Sequence, residues 1–308
     1  MYNRNSIKKS AKSRWEGQVV NRLHIFNPAS GVKHSPELLT KGEVGPEEQY
    51  VTTGVGDAER KIYETCLEKP ETHFIVYGGD GTVAEAVSGI VRASAGDRAL
   101  LTVIPAGTGN DFIKTFPEKD RIFKIDVLKY GDRYAANIIN FGFDSRVVAK
   151  TEVYKKMFPG SASYIAGVAD TFFHKMGETW RIELETASGE TERFEDVFTL
   201  ALAANCRYYG GGFQAAPLAD PADGLIDFVA VRKVSRAAFI KLIGNYKKGT
   251  HLDPATGAPI PKFDSYMIYR RCRRVKLTGI TDLCADGEIL PASEVEIGVV
   301  PGALRIAT

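Results

Sequence analysis

The chain has 308 residues, 44% of them hydrophobic and 25% charged, with a net charge of +2 from 40 basic and 38 acidic side chains. That is the make-up of a folded chain with room for two domains of about 100–200 residues each, and so even a charge balance gives no argument for a nucleic-acid partner. No apolar run approaches the roughly 18 residues that span a bilayer; the best candidate, FTLALAA at Phe198–Ala204, has the length of a strand.

The first 20 residues begin MYNRNSIKKSAKSRW, basic but with no apolar segment behind them, which does not fit a secretory signal. They read as a loosely attached arm, with contact to phospholipid headgroups as the alternative, and a cytoplasmic location is expected. The cysteines, Cys66, Cys206, Cys272 and Cys284, form no C-x-x-C pair and read as reduced core residues. The five histidines show no metal-ligand spacing.

Strand and helix signals then alternate. LHIF (Leu23–Phe26) reads as a strand ending in NPASG, and QYVTT (Gln49–Thr53) as a second. GDAERKIYETCLEK places Ala58, Ile62, Cys66 and Leu67 at helical spacing. HFIVY is a strand running into GGDGT; TVAEAVSGIVRA is a helix with Val83, Ala86, Val87 and Ile90 on one face; ALLTVIP (Ala99–Pro105) is a strand ending in AGTGNDF. Continuous apolar strands alternating with helices predict a doubly wound, mostly parallel sheet, an α/β domain over residues 21–134. Ligands of such sheets bind at the carboxyl ends of the strands, where all three glycine-rich loops fall.

From about Tyr134 the texture changes to strand-like segments separated by turns: AANIINFGF, TWRIELETASGETERFEDVFTLALAA, GLIDFVAV, MIYRRCRRVKLTGI, EVEIGVV and ALRIA. SASYIAGVADTFFHKM, with Tyr164, Val168 and Phe172 four apart, and SRAAFIKLIGNYKKG read as helices. A mainly antiparallel β domain is expected over 135–291, with 292–308 open to a return into the first domain.

The glycines of GGDGT let backbone N–H groups approach a ligand, and the helix behind adds its positive end, a seat for a di- or triphosphate. Asp80 would repel a bare phosphate unless a magnesium ion lay between them; the other reading is that Asp80 caps the helix. PAGTGNDF repeats the design one strand later, with Asn110 and Asp111 at a helix start. Near the end, CADGEIL holds Asp286 and Glu288 at a place where Asp-Gly also suits a hairpin turn. LADPADGLID offers Asp220, Asp223 and Asp227, and the same stretch suits a metal-free turn.

In these motifs the chain resembles the diacylglycerol-kinase catalytic-domain family of lipid kinases, of the soluble bacterial type. The resemblance runs from NPASG (Asn27–Gly31) through GGDGT, GTGNDF and GGFQAAPLADPADGLIDFVAV (Gly211–Val231) to ADGE (Ala285–Glu288) and PGALRIA, almost the whole chain in order. It implies an NAD-kinase-like first domain and transfer of phosphate from ATP, with Mg2+, to a lipid hydroxyl at a membrane surface, diacylglycerol being the first expectation. GGDGT alone is shared with NAD kinases; a different lipid alcohol, or a relative that binds without catalysis, is a further alternative, and a homodimer is left open.

Carried over residue by residue, the resemblance assigns ATP to Asn27, Pro28, Ser30 and Gly31, to Gly78, Gly79, Asp80, Gly81 and Thr82, to Thr108 and Asn110, and to Thr52 or Thr53. It assigns catalytic magnesium to Asp80, Asp111 and Asp126, the last at a spacing that is short for the family. Asp286 is implied as the base that takes the hydroxyl proton, with Glu288 as its partner or alternative. A second, structural magnesium would take the Asp223 carboxylate and the carbonyls of Asp220 and Leu225. One departure is Ala84 where the family has asparagine; Glu85 is kept, within the nucleotide set. YRRCRRVKL (Tyr269–Leu277), read with strict alternation, puts Arg271, Arg273 and Val275 on one face and Arg270, Cys272, Arg274 and Lys276 on the other. It reads as a charged strand edge, or as a surface for anionic headgroups.

Overall fold

The structure is a computed structural model that describes residues 21–30, 44–154, 156–157, 161–174 and 176–308. The expected arm at 1–20, and Gly31, lie outside the described residues. The chain divides into two compact units, one of residues 1–127 with 301–308 and one of residues 128–300.

In the first unit, β1 (Asn21–Phe26) pairs in parallel with β2 (Gln49–Val51) and β3 (Thr72–Gly78), and β3 pairs in parallel with β4 (Leu100–Pro105). The last residues of the chain add a further parallel partner, Ile306 opposite Leu101 and Ala307 opposite Thr102. Helix α1 (Asp57–Glu68) buries Ala58, Ile62 and Cys66, and α2 (Asp80–Arg92) buries Val83, Ala86, Val87 and Ile90. Leu67 does not join the buried stripe and is 62% exposed, because at 100° per residue it is turned a quarter-circle from Cys66. The two helices meet at Gly89, where an added Cβ would lie 2.7 Å from the Glu59 carbonyl oxygen. The β1, β3 and β4 ends are thereby set side by side, each followed by a glycine-bearing loop.

In the second unit, β7 (Ile138–Gly142), β9 (Thr191–Ala204), β10 (Ile226–Arg232) and β11 (Met267–Thr278) pair antiparallel in that order. β8 (Glu178–Thr186) pairs with both β9 and β11, and β12 (Asp282–Ala285) joins β7 to the hairpin strand β13 (Glu288–Pro291). The unbroken apolar run of β9 follows from burial on both faces. Phe198, Ala201 and Ala203 pack into one core with Trp180, Phe228 and Val275, while Leu200, Leu202 and Ala204 pack into another with Phe143, Phe239 and Tyr246. Strands sealed on one side only would alternate with polar residues. Helices α3 (Phe143–Tyr154), α4 (Ser161–Phe173) and α5 (Arg236–Lys248) belong to this unit. α5 starts on Ser235, whose side chain accepts from Ala238 N–H at 3.2 Å, and stops at Gly249 with φ of 70°.

Two expectations are corrected here. AANIINFGF is not one strand: β7 ends at Gly142 with φ of 75°, and α3 begins at Phe143. The arginine-rich strand does not alternate strictly, because its pairing with β8 shifts register between Cys272 and Arg274. Cys272 and Val275, three apart, both point into the core as a result, and Arg271 and Arg273 stay exposed. Among the described residues no helix is long and apolar enough to cross a membrane.

Candidate active site

In the first unit the residues after β1, β3 and β4 form one connected set. Asn27, after β1, donates its side-chain N–H to the Thr82 hydroxyl at 2.8 Å and accepts from Ala29 N–H at 2.9 Å, while Ser30 bonds the Asn27 carbonyl. Pro28 is exposed on the same loop. Thr82 also explains Gly78: a Cβ there would stand 2.5 Å from the Thr82 Oγ1. Past β2 the structure separates the two threonines. Thr52 is buried, its N–H and hydroxyl both on the Phe26 carbonyl; Thr53 is exposed and bonds Asp57. Glu85 accepts from Gly56 N–H at 2.9 Å and Ala58 N–H at 3.1 Å, so it caps α1 and ties that helix to α2.

Gly79 precedes α2 in extended conformation, and no side chain caps that helix end. Asp80 is its first residue and reaches sideways instead, its Oδ1 accepting from Phe112 N–H at 3.1 Å. The first turn of α2 therefore keeps the uncapped N–H groups that make a helix start attractive to anions, with nothing within 4 Å of a Cβ placed on Gly81. The loop after β4 packs backbone to backbone on this one. A Cβ on Gly107 would fall 2.5 Å from Gly79 Cα, and one on Gly79 would fall 3.1 Å from Gly107 Cα. Asn110, in the left-handed region at φ of 51°, closes the loop by accepting from Gly107 N–H at 3.0 Å and donating to the Gly107 carbonyl at 2.7 Å. Thr108 is exposed at its tip.

Asp80 and the buried Asp111 come together across these loops. Burial, and next the neighbouring charge of Asp111, push the Asp80 carboxyl up, against bonds from Phe112 and Asp111 backbone that lower it. Lys114 binds Asp111 Oδ1 at 2.6 Å. Two neighbouring carboxylates, with the charge of Asp111 raising the cost of ionising Asp80, beside an anion-attracting helix end, are a donor set suited to a hard divalent cation. The expected third member does not join them. Asp126 is buried in β5 (Ile122–Tyr130), where it accepts from Gly302 N–H at 2.7 Å and holds a left-handed turn of the terminal strand β14 (Glu294–Ala307). Among the described residues no group of three carboxylate, histidine or cysteine side chains forms a metal-holding cluster.

In the second unit Asp286 and Gly287 link β12 to β13 with φ of 49° and 96°, the conformation of a two-residue hairpin turn. The turn reading and the carboxylate reading thus hold at once. Asp286 Oδ2 accepts from Ala136 N–H at 2.6 Å, and Oδ1 from Asn137 N–H at 3.0 Å and Ile138 N–H at 2.9 Å. Glu288, two residues on, is exposed and pairs with Arg133 at 2.9 Å. Asp223 is engaged on both oxygens, by Leu225 N–H at 2.9 Å and by the Arg271 guanidinium. The arginine stands as the cation partner of that carboxylate, and Asp220 caps its own turn through Ala222 N–H at 3.1 Å. The loop Gly210–Gly212 takes positive φ at all three glycines.

One half-buried pair escaped the motif reading. Tyr209 donates to Asp144 at 2.6 Å, and desolvation pushes Asp144 up to about 6. The two residues are 65 positions apart, and neither lies in a pattern that announces a pair.

Two family models match the chain. The diacylglycerol kinase catalytic domain covers residues 21–140, and the YegS C-terminal NAD kinase beta sandwich-like domain covers residues 137–308. A diacylglycerol kinase of Mycobacterium tuberculosis is 28% identical over 272 residues, 82% of either chain. One of Bacillus subtilis is 28% identical over 274 residues, 82% of this chain and 84% of that one. Among solved structures, a diacylglycerol kinase from Bacillus anthracis superposes with a TM-score of 0.65 at 18% identity, over 93% of this chain and 96% of the other, which is a likeness of fold.

Proposed function

This chain belongs to the diacylglycerol kinase catalytic-domain family of lipid kinases, phosphotransferases with an alcohol acceptor, and from that membership we propose that it transfers the γ-phosphoryl group of ATP to the free hydroxyl of diacylglycerol, giving phosphatidic acid and ADP. The observation that carries the nucleotide half is the backbone contact of Gly79 with Gly107, which aligns two glycine loops and the uncapped start of α2. Backbone N–H groups of Gly79 to Thr82 would receive phosphate oxygens, with Thr108 at the neighbouring loop tip; Asn27 and Asn110 hold those loops in shape. Thr53, exposed, suits nucleotide contact better than the buried Thr52.

Asp80 and Asp111 fit a magnesium ion, and bound there it would neutralise charge gathering on the β- and γ-phosphates. The Asp223 loop fits one less well, since Arg271 already balances its carboxylate. Asp286 and Glu288 divide the remaining work. Three N–H donors stabilise Asp286 as an anion, and accepting a proton would weaken all three bonds, so Asp286 positions the hairpin. Glu288 is the exposed carboxylate that takes the hydroxyl proton as the lipid oxygen attacks phosphorus and ADP leaves with the bridging electron pair.

The test is ATP consumption by purified protein with magnesium, in mixed micelles carrying diacylglycerol, sphingosine, ceramide or phosphatidylglycerol, with NAD as soluble control. Turnover on diacylglycerol that is lost in Asp80→Asn and Glu288→Gln is expected. Turnover on a different lipid would correct the substrate, and turnover on NAD alone would overturn the reading.

A further inference from the structure

Most of the charge on the arginine-rich strand is paired: Arg270 with Glu192, Arg271 with Asp223, and Arg274 with Glu185 and Glu296. Helix α5 is different. From Arg232 to Leu252 the sequence carries six lysines and arginines and no carboxylate. α5 buries Phe239, Leu242 and Tyr246, and its outer face, at spacings of three and four, is Ala237, Ile240, Lys241, Gly244, Lys247 and Lys248. Ile240 is 62% exposed in the middle of that cationic face.

A second exposed apolar residue is held at the start of the same helix. Arg236, one turn before Ile240, donates to the carbonyls of Phe172 at 2.9 Å, Phe173 at 3.2 Å and His174 at 3.1 Å, locking the end of α4 to the start of α5. Phe173 is left 75% exposed at that junction. The nearby carboxylates are already engaged, Asp170 by Lys150 and His174, and Asp196 by Arg232.

An exposed aromatic and an aliphatic side chain, together with lysines that form no ion pair among the described residues, make a surface suited to an anionic bilayer: the lysines meet headgroup charge while the apolar pair enters the acyl boundary. We propose that the α4–α5 junction and the outer face of α5 are where this protein docks onto anionic membranes. This rests on the lipid-kinase reading for its biological purpose.

The experiment is co-sedimentation of the full chain with vesicles of phosphatidylcholine alone and with added phosphatidylglycerol. At roughly fivefold per lysine, Lys241→Gln/Lys248→Gln should weaken binding to the anionic vesicles on the order of 25-fold. Phe173→Ser/Ile240→Ser should weaken it about tenfold, each with an unchanged thermal melt. Turnover of a water-dispersed short-chain diacylglycerol, read in parallel, should be the same in all forms. Wild-type protein that ignores anionic vesicles, or variants that bind them equally well, would overturn the proposal. So would lysine variants that change the mass of the protein in solution, which would make the face a contact between copies. Absence of short-chain turnover in the wild type would instead refute diacylglycerol as the substrate and leave docking to be judged by sedimentation.

Discussion

Replacing Gly107 with alanine probes the joint between the two glycine loops. The added Cβ would stand 2.5 Å from Gly79 Cα and 3.1 Å from Asn110 Oδ1. Carbon atoms in ordinary contact keep about 3.5–4.0 Å, so the loops must part by roughly 1 Å. Such overpacking costs about 1–3 kcal/mol. Because Gly79 leads directly into α2, the shift carries Asp80 and the first-turn N–H groups with it, and a displacement of about 1 Å can cost on the order of a hundredfold in rate. The assay is kcat/KM for ATP alongside the urea midpoint. Gly81→Ala is the contrast: nothing lies within 4 Å of its Cβ, so stability should hold or rise by about 0.5 kcal/mol, while a phosphate seated on α2 would meet the new methyl and activity would fall. Wild-type stability and kcat/KM in Gly107→Ala would refute the idea that these loops are held in fixed register to bind one nucleotide.

Asp286→Asn should lose activity and also about 1–3 kcal/mol of stability, because it turns an N–H2 group toward the donors at Ala136–Ile138. Glu288→Gln, which breaks only an exposed ion pair, should leave stability within about 0.5 kcal/mol and still abolish turnover; full turnover would return the base to Asp286. Asp80→Asn should melt no lower than wild type, because it removes a half-buried repulsion from Asp111, but should lose the rise in melting temperature that Mg-ATP gives the parent; an equal rise in both would exclude Asp80 from the metal. Asp144, raised to about 6 by burial, binds its proton more tightly folded than unfolded. Its contribution to stability is present below about pH 4 and lost as pH rises through 6, up to roughly 3 kcal/mol. Asp227, likewise pushed up to about 6, adds to that fall, and His73 and His251, pushed down to about 4 by burial, oppose it; the urea midpoint of the parent relative to that of Asp144→Asn should therefore fall between pH 4 and 7, and a constant difference would refute the assignment.

Some of this was legible in the chain. The apolar runs of β1, β3 and β4, and the stripe Val83, Ala86, Val87 and Ile90, announce a parallel sheet and its helix because strand and helix periods are local properties of side-chain order. The glycine loops announce themselves for the same reason: backbone freedom is a property of one residue type. Partners distant in sequence were decided otherwise. That Glu85 caps α1, that Asp126 holds Gly302 rather than joining Asp80 and Asp111, and that Thr52 is buried where Thr53 is exposed, all depend on which strand ends the sheet sets side by side. Asp286 shows the division most plainly. Asp-Gly between two strands specifies the turn by its own dihedral preferences, but three N–H groups from residues 136–138 reach its carboxylate only because β12 pairs with β7. Sequence fixes what a residue can do by itself; hydrogen bonds act over about 3 Å, so which groups it meets is settled only when the sheet brings them within that reach.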